Sequence, residues 1–110
     1  SVIFRFFDIM DSTVWNKQNK NSYLLKTIGF QAQFDFLREY LSVTSDFELK
    51  ELKGRILSIL DVDFSNVFFT ASGIGATRIK NIILIKTGFK SIEVLSEHKD
   101  FEDYKKVLMI

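Results

Sequence analysis

The stretch Asn21–Leu41, NSYLLKTIGFQAQFDFLREYL, constrains the fold most, because it carries two apolar faces on one helical period. Leu25, Ile28, Ala32, Phe36 and Tyr40 fall on one stripe. Phe30, Phe34, Leu37 and Leu41 fall on a second, about 150° away. Lys26 and Gln33 lie between the stripes on one side, and Gln31, Asp35, Arg38 and Glu39 on the other. A surface helix needs one apolar stripe; a helix with two is sandwiched between neighbours. This segment is predicted to be the central helix of the fold, opened by an N-cap at Asn21 or Ser22.

The rest of the chain supplies the neighbours. Val2–Trp15 spaces Ile3, Phe6, Phe7, Met10 and Val14 as an apolar helical stripe, widened by Val2, Phe4, Ile9 and Trp15. A polar loop, Asn16–Ser22, follows. Ser45-Asp46-Phe47-Glu48 reads as a capping box opening a helix to about Leu60, with Leu49, Leu52, Ile56 and Ile59 inward and Glu51 paired to Arg55. Phe64–Ala71 fits a short strand or a helical turn equally. Ser72-Gly73-Ile74-Gly75 is predicted to be a loop, leading into a helix over about Thr77–Thr87 that Gly88 ends. Phe89–Leu95 reads as extended, and Ser96 as the cap of a last helix through about Leu108 that turns Phe101, Tyr104 and Leu108 inward. The expectation is all-α: a compact bundle of about five helices around the two-sided helix, with room for one small β element. Pro, the commonest helix breaker, does not occur.

Composition narrows the function classes. Of 110 residues, 46% are hydrophobic and 12 are Phe, which favours a packed core over disorder. That length predicts a single domain. The chain enters an apolar pattern at once, without an initiator Met, so it is expected to be a piece of a longer protein. The absence of Cys excludes disulfides, thiolate chemistry and Cys-based zinc sites. It also fits a reducing compartment, so a cytoplasmic location is expected. No apolar run is long enough to span a membrane. The net charge of +1 argues against a strongly nucleic-acid-binding domain, although the charge is unevenly distributed. From Phe64 to Ile92 no acid accompanies Arg78, Lys80, Lys86 and Lys90; the flanks hold most of the carboxylates.

The best local candidate for a site is Gly73-x-Gly75 ahead of a helix, with Thr77, Arg78 and Lys80 nearby. Free amides at such a helix start, together with these side chains, suit a phosphate or another anion, including a nucleic-acid backbone. The competing reading is a tight turn whose glycines permit positive φ or a close approach. A P-loop and a dinucleotide fingerprint are both excluded: there is no Gly-Lys-Ser/Thr and no third glycine. The cations do not form one stripe, because Arg78 and Lys80 project about 200° apart on a helix. The single His98 sits among Glu97, Asp100, Glu102 and Asp103, but these carboxylates lie on different sides of a helical turn. No metal site, cofactor or catalytic residue is therefore assigned, and the domain is expected not to be an enzyme.

Three stretches resemble one known family. They are the apolar opening helix ending near Trp15, the segment NSYLLKTIGFQAQFDFL (Asn21–Leu37), and DFSNVFFTASGIGATRIKNIIL (Asp63–Leu84). Together they cover a little over half the chain, and they resemble the C-terminal helical region of bacterial DGQHR-domain proteins. Those are relatives of the ParB/sulfiredoxin superfamily found around DNA phosphorothioation and mobile defence islands. The motif that names the family is absent here, so no catalytic residue carries over. The resemblance implies a helical companion to a DNA-associated function, acting by protein contact or modest nucleic-acid binding, with the remainder of a longer chain or a separate protein as its partner and DNA as a further candidate. The second reading is a self-associating interaction domain with no nucleic-acid role, drawn from the wide apolar face of Val2–Trp15 and the load of aromatics.

Overall fold

Five α-helices carry the structure, a computed structural model that describes residues 1–43, 49–70 and 73–110. They are α1 (Val2–Thr13), α2 (Thr27–Val43), α3 (Leu49–Ile56), α4 (Gly73–Lys86) and α5 (Phe101–Leu108). Short 3-10 turns at Trp15–Lys17, Tyr23–Leu25, Leu57–Asp61, Val67–Phe69 and Ile92–Leu95 join or extend them. No strand occurs among the described residues; the described part of Phe64–Ala71, residues 64–70, holds the helical turn Val67–Phe69, and Ala71 lies outside them. The capping box at Ser45–Glu48 lies outside the described residues, as does Ser72.

The α2 and α4 helices pack along each other at the centre. On α2 the first stripe is inside, with Ala32 and Phe36 fully buried and Tyr40 nearly so. The second stripe is covered only in part. Phe30 and Phe34 meet Phe7 and Trp15 of the α1 segment, with Phe7 and Phe34 edge to face at 4.9 Å and Trp15 and Phe30 at 5.3 Å. The α4 helix is apolar around most of its circumference: Ala76, Ile79, Ile82, Ile83 and Leu84 are all buried. It touches α3, α5 and the Val67–Phe69 turn as well as α2, so no single stripe would serve it.

Gln33, placed by its spacing between the stripes, is wholly buried. Its Nε2 donates to the carbonyls of Leu24 and Gly29 at 3.0 Å, and its Oε1 accepts the Trp15 indole N–H at 2.9 Å. A buried amide with every group engaged stabilises a junction that an orphaned one would weaken. This one locks the Trp15–Lys17 turn after α1, the turn before α2, and α2 together.

Several helix ends differ from the sequence expectation. Ser22 does act as a cap, accepting from the Leu24 amide, but of the 3-10 turn; α2 starts after the extended Lys26. The opening α-helix stops at Thr13, with Trp15 in the next turn and Ile3 nearly half exposed. Ser96 closes the Ile92–Leu95 turn instead of opening α5, whose N-cap is Asp100, and Phe89–Leu95 is not extended. Gly88 does end α4, at φ 84°. Its amide donates to Ile85 O and the Phe89 amide to Leu84 O, the paired bonds of a Schellman cap. The two remaining carbonyls of that end are met from a distance: the single Ser58 hydroxyl proton is shared between Lys86 O at 2.7 Å and Arg55 O at 2.6 Å, and Arg55 Nη1 donates to Thr87 O at 2.9 Å.

Candidate functional site

The residues expected to hold an anion converge less than their spacing suggested. Gly73 and Gly75 are not in a loop before the helix: α4 already begins at Gly73, so both lie in its first turn. Gly75 is buried, and a Cβ there would fall on the backbone carbonyl of Thr70 and press on Ile28. Its smallness serves a close approach of two backbones. Gly73 faces open space and Thr77 is exposed.

Arg78 turns away from the helix start. Its Nη1 donates to Phe68 O at 2.9 Å, its Nη2 to Asp100 Oδ2 at 2.8 Å, and its guanidinium lies 4.3 Å over the Phe68 ring. Both ionic side chains are more than four-fifths buried. Around this pair, Asn81 Nδ2 donates to the Tyr104 hydroxyl, and Asp100 N–H donates to His98 Nδ1. Burial pushes the Tyr104 phenol up, with the Asn81 hydrogen bond offsetting part of the shift. The cluster is a latch that fastens α5 and the Val67–Phe69 turn to α4.

The hydrogen bond from Arg78 holds the Asp100 carboxyl below its ordinary range. A depressed folded-state pKa contributes stability that is present above the unfolded value, near 3.9, and is lost as pH falls through the lower folded value. Asp100→Asn is therefore expected to melt below wild type at neutral pH, with the gap closing on acidification below about pH 4. Thermal melts of both proteins along a pH series check this; a gap that widens toward acid would contradict it.

The other three cations of the Phe64–Ile92 run are matched as well. Glu39 of α2 receives Lys80 at 3.3 Å and Lys90 at 3.1 Å, and Asp61 receives Lys86 at 3.6 Å. Burial alone would raise the Glu39 pKa, but hydrogen bonds from Lys90 and Lys80 outweigh it and the net shift is down. The acids that the run lacks in sequence reach it from the flanks. Arg78 and Lys80 end on opposite sides of α4, so the structure does not gather Gly73, Gly75, Thr77, Arg78 and Lys80 around one point. Among the described residues no three His, Asp or Glu side chains converge as metal ligands. Among the described residues no helix is long and apolar enough to cross a membrane.

Two surfaces stand out that single-residue motifs did not reveal. One is an open groove of about 300 Å³ between α1 and α2, lined by Ile3, Phe34, Leu37, Arg38 and Leu41. Ile3, Phe34 and Leu41 are each 38–47% exposed, and Phe4, next on α1, is 74% exposed. The signal was already in the sequence, since a wide apolar face on α1 and a second stripe on α2 exceed what two helices can hide from water. The other is a groove of about 470 Å³ between α1 and α3, where Arg5, Asp8, Ile9 and Ser12 face Lys50 and Lys53. No known protein family matches this chain, and neither does any curated protein or solved structure.

Proposed function

We propose that this chain is a non-catalytic helical module that works by protein contact through the apolar α1–α2 face. The observation that carries the reading is the contrast between two surfaces. Ile3, Phe4, Phe34 and Leu41 remain in solvent on neighbouring helices. Arg78, Lys80, Lys86 and Lys90 each face a carboxylate and leave little uncompensated charge for phosphates. The resemblance to DGQHR-domain proteins supplies the setting: a bacterial, cytoplasmic, DNA-associated protein of modification or mobile defence systems, with the module as its contact element.

Self-association is favoured by one further feature. Asp35 and Arg38 stand side by side on α2, paired at 3.4 Å at the edge of the groove. A two-fold antiparallel packing of α2 on a second copy would set each Arg38 against the other copy's Asp35, the self-complementarity that an isologous contact requires.

Two measurements test the reading. Sedimentation velocity on wild type and Phe34→Glu is expected to show association in the micromolar range that the substitution abolishes. A strict monomer would remove the second copy and leave a different protein as the partner. Fluorescence anisotropy with duplex and single-stranded DNA across a salt series is expected to show no binding that Lys80→Ala/Lys86→Ala removes. Those lysines are chosen because Arg78 anchors the fold. Turnover of nucleotides or cleavage of nucleic acid by the purified chain would overturn the non-catalytic assignment.

A further inference from the structure

We propose that the groove between α1 and α3 is a second docking site, separate from the α1–α2 face, and that it takes an acidic peptide segment carrying an apolar anchor. The first argument is charge. Among the described residues three cations, Arg5, Lys50 and Lys53, line the groove against one carboxylate, Asp8. Among the described residues none of the three cations is ion-paired, whereas all four cations of the Phe64–Ile92 run are. These unpaired cations of the described residues thus lie away from the run where the sequence concentrates basic residues, in a groove whose one described carboxylate, Asp8, pairs with none of them.

Shape supplies the second argument. Lys50 and Lys53 stand three residues apart on one exposed face of α3, and Arg5 stands across from them on α1. Ile9 forms an apolar floor between these walls. Basic walls with an apolar floor complement a segment that presents carboxylates on its flanks and a Leu or Phe at its centre.

A nucleic-acid backbone is a poorer match. Its phosphates form a continuous row, and Asp8 within the groove repels any phosphate that passes it. Discrete carboxylates can be placed to avoid Asp8, and a donor on the peptide can meet it. Asp8 thus acts as a discriminating residue: it costs a polyanion affinity and sets the register of a peptide.

The probe is a fluorescein-labelled amphipathic peptide with Glu on one face and Leu on the other. It is compared with the same peptide carrying Gln for Glu, and with labelled duplex DNA. The acidic peptide is expected to bind, to weaken steeply with salt, and to lose at least about tenfold in affinity with Lys50→Glu/Lys53→Glu. Arg5→Glu, on the opposite wall, is the second variant and is expected to act in the same direction. All three side chains are exposed, so circular dichroism should be unchanged. Phe34→Glu on the α1–α2 face should leave this binding intact, which separates the two surfaces. The proposal is overturned if the Gln peptide binds equally, if charge reversal has no effect, if the acidic peptide does not bind, or if duplex DNA binds more tightly and is lost in the same variants.

Discussion

Phe36→Ala is expected to cost about 3–5 kcal/mol, the range for deleting a buried aromatic side chain. For a domain of this size that corresponds to a fall in Tm of more than about 10 °C. The side chain is fully buried, and its ring meets Phe6 of α1 at 6.1 Å, Tyr40 one turn along α2 at 6.2 Å, and Phe89 beyond α4 at 6.2 Å. Its loss opens a cavity bounded by three separate segments, none of which can collapse inward without pulling away from its other contacts. Phe34, two residues earlier on the same helix, is the control. It is 44% exposed and has one close ring neighbour, so Phe34→Ala is expected to cost about 1 kcal/mol. Chemical denaturation of both variants decides the matter; equal losses would mean that the two faces of α2 are not buried as unequally as described.

Gly75→Ala is expected to destabilise by about 3 kcal/mol, although alanine is the better helix former and the site lies within a helix. On propensity alone the substitution would gain up to about 1 kcal/mol. The steric consequence runs the other way: the new methyl group would land on the Thr70 carbonyl oxygen, a backbone atom that cannot rotate aside as a flexible side chain can. Gly73→Ala is the matched comparison. A Cβ there meets nothing within 4 Å, so that variant should be neutral or slightly stabilising. The pair also tests the role of the glycines. An anion cradle would be damaged by either change, whereas a close backbone approach makes only Gly75 sensitive.

The helices that were legible in the sequence are those whose determinants are local. Leu52, Ile56 and Ile59 sit inside at their helical spacing, Glu51 and Arg55 pair within α3, and Gly88 ends α4. Errors arose where a local signal competed with a distant partner. Two glycines near each other read as a loop, but Gly75 answers to Thr70 and Ile28 across the packing and is compatible with a helix. Ser22 and Ser96 are good caps, yet each serves a 3-10 turn, because nothing local distinguishes the start of a short turn from that of a long helix.

The basic run of the candidate site depends on distant partners in the same way. Arg78 finds Asp100 22 residues away and Lys80 finds Glu39 41 residues away, so a run that is basic along the chain is nearly neutral in space. Gln33 shows the converse. A polar residue between two apolar stripes passes for a solvent-facing one until the three groups it satisfies are seen to come from two neighbouring segments and its own helix.

The end of α4 carries a consequence for the order in which this chain becomes native. Its Schellman cap is built from adjacent residues and can form as soon as the helix does. The Lys86 and Thr87 carbonyls, in contrast, wait for Ser58 and Arg55, 28 and 32 residues upstream. A helix whose last turn is finished by α3 and the 3-10 turn that extends it is not an independent folding unit. When α3 lifts away, two acceptors at the end of α4 lose their partners at the same moment. Loosening of α3 and fraying of α4 are thereby one event, a single cooperative opening with its own free energy.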